Sequence, residues 1–144
     1  MEYALRAVVC LAQNDDKALT ARHISTLTRV PAGYMSKVLQ LLGKAGLARA
    51  TRGRGGGYQL AASPNELSVL EVVNAVDPLK RIRACPLAIG LHGARMCPLH
   101  RSLDQVLEHA EREFGHTTIA ALLVDSIPSA PLCGQRGAGK DKDH

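Results

Sequence analysis

The sequence predicts a mainly α chain with one small two-stranded β wing and a long helix in its second half. Three observations lead there. Apolar residues recur at helical spacing through residues 2–13, 31–44 and 99–114. The run Arg52-Gly53-Arg54-Gly55-Gly56-Gly57 separates two short alternating segments, as a hairpin turn does. Charge is also divided: residues 1–63 hold nine Lys/Arg against three acids, a balance of +6, whereas residues 64–144 balance at −1. A basic half joined to a near-neutral half suggests a polyanion-binding module attached to something else.

Each element has its own local reason. Residues 2–13 are dense in helix formers, with Leu5, Val8, Val9 and Ala12 on one stripe, and Asn14-Asp15-Asp16 is a turn. Thr20 is an N-cap for a short helix to about residue 27. Thr28-Arg29-Val30 breaks the pattern, and Pro31 suits the first turn of a third helix. That helix runs to about Lys44 with Tyr34, Val38, Leu41 and Leu42 facing inward, and Gly46 stops it. Residues 47–51 and 58–60 are the wing strands. Ser63-Pro64 precedes a helix over residues 66–76 with Leu67, Leu70, Val73 and Val76 periodic. Residues 77–98 form an ordered loop broken by Pro and Gly. A long helix to about Phe114 places Leu99, Leu103, Val106, Leu107, Ala110 and Phe114 on one face, and Thr117-Thr118 caps a last helix, 119–124. The tail, 127–144, has the composition of a disordered segment.

With 46% apolar residues the chain supports a core, and with no Trp and one Phe that core is aliphatic. No apolar run approaches the ~18 residues a membrane span needs. No secretory leader is expected, so the chain is placed in the cytoplasm, where its four cysteines are thiols or metal ligands rather than a disulfide framework.

Helix, short helix, tight turn, helix and hairpin is the order of a winged helix-turn-helix, in which the helix after the turn enters the major groove by its N-terminal residues. Here these are Pro31, Ala32, Gly33, Tyr34, Ser36 and Lys37, preceded by Arg29. Small residues allow close backbone approach, Tyr34 and Ser36 offer hydroxyls, and Lys37 offers a charge. Arg52, Arg54 and the bare backbone at Gly56 suit phosphate contact or a narrow minor groove. The alternative for the wing is a glycine loop with merely solvated arginines. The alternative for residues 20–45 is an ordinary packed helix pair.

A second feature is RACPLAIGLHGARMCPLHRSLD, which contains Cys85, His92, Cys97 and His100. Cys97 and His100, three apart at a helix start, can face the same way. Thiolate with imidazole suits an iron–sulfur cluster or Zn. Arg81, Arg83, Arg95 and Arg101 surround the loop and are expected to stabilise thiolates. A clusterless redox thiol pair and purely structural cysteines remain alternatives. Cys10 reads as a small core side chain and Cys133 as an incidental thiol. His23, His109 and His116 read as solvated, as does the helix face bearing Glu108, Glu111 and Glu113.

EYALRAVVCLA, LTARHIS, VPAGYMSKVLQLLGKAGL, RGRGGGYQLA and LSVLEVVNAVD together resemble the Rrf-two family of bacterial regulators, over residues 2–124. The family includes an iron–sulfur regulator, a nitric-oxide sensor and a cysteine-metabolism regulator. The resemblance implies a homodimer held by the long helix, binding a near-palindromic double-stranded DNA operator as a repressor. It divides the chain into a DNA-binding region (1–63), a cysteine loop with dimerisation helices (64–126) and the tail. Cluster-binding members carry three cysteines in this loop. Cys85 and Cys97 match the first and third, His100 matches a histidine found in some, and the middle position is Leu91. His92 beside it, and Glu2, which matches an acidic ligand reaching across the dimer in some members, complete the candidate set for a [2Fe–2S] cluster. Such a site would sense nitric oxide, redox or iron–sulfur status. The rivals are a clusterless regulator sensing a metabolite or protein partner, a small thiol redox enzyme using Cys85 and Cys97, and a module binding RNA or acidic protein. The enzyme is disfavoured by the absence of a Cys-x-x-Cys pair, and single-stranded nucleic acid by the scarcity of aromatics beside the basic residues.

Overall fold

A computed structural model describes residues 1–85 and 96–124. The elements are α1 (Glu2–Ala12), α2 (Ala21–Thr28), α3 (Ala32–Lys44), β1 (Ala48–Thr51), β2 (Gly57–Leu60), α4 (Val69–Val76), α5 (Pro98–His116) and α6 (Ile119–Val124). The mainly helical fold with a two-stranded wing is the one expected. His92, Leu91, Arg95, Cys133 and the tail lie outside the described residues.

α1 is the hub, packing against α2, α3, β2, α4 and α6. It is therefore buried around most of its circumference, at Ala4, Ala7, Val8, Val9, Cys10 and Leu11. The expected stripe was narrower and included Leu5 and Ala12, both half-buried. Cys10 is a core residue, as expected. One buried cluster joins α1, Ile24, Met35, Leu39, Leu42, Leu67, Val72, Val73 and Ile119, and so takes in residues on both sides of position 63.

The Thr20 hydroxyl caps α2 by accepting from the His23 N–H. α3 buries Met35, Leu39 and Leu42, with Val38 and Leu41 half-buried. Tyr34, expected inward, is 62% exposed. The true stripe runs through Met35, one residue later, because i, i+4 and i+7 from Met35 all enter the core shared with α1, α2 and α4. α4 starts three residues later than expected. Ser68 and Glu71 form a capping box there, while Ser63 instead accepts the Glu66 and Leu67 N–H groups in a turn.

β1 and β2 pair antiparallel, Ala48 opposite Leu60 and Thr51 opposite Gly57. Leu19 adds a bridge to Tyr58, exchanging backbone hydrogen bonds of 3.0 and 2.7 Å. A Cβ at Gly57 would stand 2.5 Å from the Leu19 carbonyl oxygen, so this close approach requires glycine. No helix among the described residues is long and apolar enough to cross a membrane.

Candidate nucleic-acid interface and metal centre

The turn between α2 and α3 is tightly specified. Arg29 closes α2 in the left-handed region, at φ 55° and ψ 35°. The Ser25 hydroxyl donates to the Val30 carbonyl at 2.6 Å, and the Val30 N–H donates to the Ser25 carbonyl at 3.2 Å. Arg6 reaches from α1 to donate to the Thr28 carbonyl at 3.1 Å, fixing the turn to the hub. Arg6 also pairs with Glu2.

This turn presents Arg29, Pro31, Ala32, Gly33, Tyr34, Ser36 and Lys37 to solvent while Met35 anchors the helix from beneath. Tyr34 packs edge-on against Tyr3, ring centroids 6.0 Å apart, so its ring is braced although exposed. On the wing, Arg52 and Arg54 are exposed. Gly56 is half-buried, and a Cβ there would stand 2.3 Å from the Thr51 carbonyl oxygen. The hairpin itself therefore demands Gly56, whatever else approaches it.

At the other end of the chain Cys97 is the N-cap of α5, with Pro98 at its first position. Cys97 Sγ lies 3.0 Å and Cys85 Sγ 3.7 Å from His100 Nδ1. All three ligand atoms fall within 4.8 Å of one another, and all three residues are half-buried. Such spacing lets them share one metal ion as soft and borderline donors. A [2Fe–2S] cluster takes four protein donors. Among the described residues no fourth stands in the group, and within one copy Glu2 is engaged by Arg6 instead.

Arg81 and Arg101 depart from expectation. Arg81 is engaged by acids of α5. Its guanidinium forks onto Asp104, Nε to Oδ1 at 2.6 Å and Nη2 to Oδ2 at 2.7 Å. It also reaches Glu111 at 3.4 Å and Glu108 at 3.5 Å. Those glutamates, expected to be merely solvated, complete an acidic cradle along α5. Hydrogen bonding from Arg81, aided by the Ile82 N–H, holds the Asp104 carboxyl down to about 2, and the same pairing pushes the Arg81 guanidinium up. Arg101 donates to the Met96 carbonyl at 3.5 Å. His23, His109 and His116 are exposed, as expected. Sequence reasoning missed the Arg81–Asp104 pair; the acidic i, i+4, i+7 spacing of residues 104, 108 and 111 was the available signal.

The family model described as Rrf2, iron-dependent transcriptional regulator, matches residues 1–125. The chain belongs to the Rrf2 family. Its fold matches "T. potens IscR" with a TM-score of 0.72 at 21% identity, covering 88% of this chain and 85% of that one. It also matches CymR (YrzC), the global cysteine regulator of B. subtilis, with a TM-score of 0.69 at 19% identity, covering 84% and 90%. Staphylococcus aureus CymR matches with a TM-score of 0.67 at 20% identity, covering 88% and 95%. An rrf2-like HTH-type transcriptional regulator of Rhodobacter capsulatus is 37% identical over 81 residues, 54% of each protein. The chain thus spans about half the length of this curated relative. As Rrf2-family proteins are transcriptional regulators, the thiol-enzyme alternative falls away.

Proposed function

We propose that this Rrf2-family chain is a cytoplasmic, homodimeric DNA-binding repressor whose grip on a near-palindromic operator depends on the state of the Cys85–Cys97–His100 site. The observation that carries the reading is the convergence of three soft and borderline donors on the first turn of α5. The same helix exposes Leu99, Leu103 and Val106, a stripe suited to a second copy. In this reading α3 enters the major groove by Pro31, Ala32, Gly33, Tyr34, Ser36 and Lys37. Arg29, Arg52 and Arg54 meet phosphates, and the backbone at Gly56 passes close to the duplex.

The residues fit a metal or iron–sulfur group, here assigned as [2Fe–2S] with Cys85, Cys97 and His100 as ligands. The fourth donor is His92, or Glu2 from the second copy. When bound, such a group supplies a cross-link that oxidation or nitric oxide can break. Cys85 ties the segment leaving α4 to the site, while Cys97 and His100 tie it to α5. Because α5 would set the spacing of the two α3 helices, the state of this junction biases operator affinity.

Anaerobic purification with iron and sulfide analysis and a visible spectrum tests the ligand set. Wild type is expected to carry iron and a charge-transfer band, and Cys97→Ser to lose both. A colourless, iron-free wild type overturns the cluster. Titrating duplex DNA against protein across salt tests the interface separately, with single-stranded DNA of the same sequence as the control.

A further inference from the structure

The segment that carries Cys85 is pinned to α5 next to His100 by contacts the ligand reading does not use. Asp104 lies four residues beyond His100, so the two side chains share a face of α5 one turn, about 5.4 Å, apart. Arg81 lies four residues before Cys85, so the acid–base pair and the thiol–imidazole pair run side by side along the helix. The pin holds main chain as well as side chain: the Ile82 N–H donates to Asp104 Oδ1 at 2.8 Å. The Arg81 and Asp104 side chains are only 18% and 13% exposed, unlike an ordinary surface pair.

We infer that Arg81 and Asp104 form a positioning clip that holds Cys85 within ligand distance of Cys97 and His100 before any metal arrives. The inference rests on the reading of those three residues as ligands. From the pinned Ile82, three residues lead to Cys85, a reach of about 10 Å at most. Without the clip the preceding anchor is the Leu79 N–H, which donates to Asn74 Oδ1 at 3.1 Å. The tether then doubles to six residues. Effective concentration falls with roughly the −3/2 power of tether length or more steeply, so Cys85 would meet its partners about threefold less often, or less still. The carboxylate also reaches Glu108 and Glu111 only through Arg81, so removing Arg81 leaves three acids facing one another on α5.

The experiment uses the full chain with Cys133→Ser, Cys10 being fully buried. Equilibration in a glutathione redox buffer reads the effective concentration of Cys85 against Cys97, with no metal present. Two thiols and one oxidised glutathione give the disulfide and two reduced glutathiones. Asp104→Ala, which removes both anchors, is expected to lower that value about threefold to tenfold. Asp104→Asn keeps an acceptor for the Ile82 N–H and should lower it less, with Arg81→Gln resembling it. Circular dichroism checks folding, and Arg81→Gln stands in if the Asp104 variants do not fold. A merely structural ion pair would lower thermal stability but leave the thiol equilibrium unchanged, and that result overturns the clip. A parallel anaerobic Co²⁺ titration reads the thiolate-to-metal band. Its absence in the parent protein overturns the ligand reading, while the clip stands or falls on the thiol equilibrium. If the band is present, Asp104→Ala should weaken Co²⁺ binding about tenfold or more.

Discussion

Arg29 places a side chain where glycine would be most comfortable. Its left-handed backbone costs about 1–2 kcal/mol in a non-glycine residue, while glycine adds about 0.5–1 kcal/mol of unfolded-state freedom. Arg29→Gly should therefore raise stability slightly, by up to about 1 kcal/mol in urea unfolding, while weakening duplex binding. Opposite movement of the two quantities marks a cation kept for its partner rather than for the fold; a parallel loss would contradict that role. Arg52→Ala and Arg54→Ala should each lower the magnitude of the log affinity against log salt slope by about 0.9, leaving stability unchanged. Asp104 makes the corresponding prediction in pH. Its carboxyl is held at about 2, below the ordinary 3.8, chiefly by Arg81. The sign is that of a depressed acid: its contribution is present above about pH 4 and lost as pH falls towards 2. Urea midpoints of wild type and Asp104→Asn should converge across that window. The Cys85, Cys97 and His100 trio was legible in the sequence because soft ligands are rare and their spacing is visible. The Asp104 partnership was not, since 23 residues separate it from Arg81 and several cations competed for the thiols.

At the scale of elements, local signals succeeded where they were unopposed. Thr20, Pro31 and Gly46 bounded α2 and α3, and the glycine run marked the wing. They failed where tertiary contacts overrode the local signal that was read. Ser63-Pro64 looked like the helix start, but Ser68 is the cap. What decided was distant: the Leu67 carbonyl accepts the Ile119 N–H at 2.8 Å, and the Val69 N–H donates to the Thr117 carbonyl at 2.9 Å. That pairing keeps Ser68 extended opposite Thr118, so α4 begins only after Ser68. Ser68→Ala should cost about 1 kcal/mol, since it removes the side chain that both donates to Glu71 and accepts its N–H. Thermal unfolding checks the value. The stripe of α3 was misjudged for a different reason. Tyr34 looked like core by hydropathy, but a large aromatic so near the helix start could pack on Tyr3 and leave Met35 to fill the interior.

Across the whole molecule, the hub position of α1 means that the turn before α3 and the helices after the wing share one interior. The face of α5 that exposes Leu103 at 47% and Val106 at 66% takes no part in it. Leu103→Glu should leave the fold intact, convert a dimer to monomers in sedimentation, and weaken operator binding on the order of 100-fold through lost bivalency. A variant that stays dimeric would place the contact elsewhere. The long helix was legible from its periodicity, but its partner was not, because a single sequence shows an apolar stripe without showing what covers it. The bridge from Leu19 to Tyr58 has a consequence of its own. It bolts the hairpin near its turn, where any side chain in place of Gly57 would run into the Leu19 backbone. Residues 52–55 lie beyond the bolt, so a change of loop length there rebuilds the turn around Gly56 and alters how far the arginines extend, without touching the bolt. The reach of this loop can thus change without any repacking of the body that carries it.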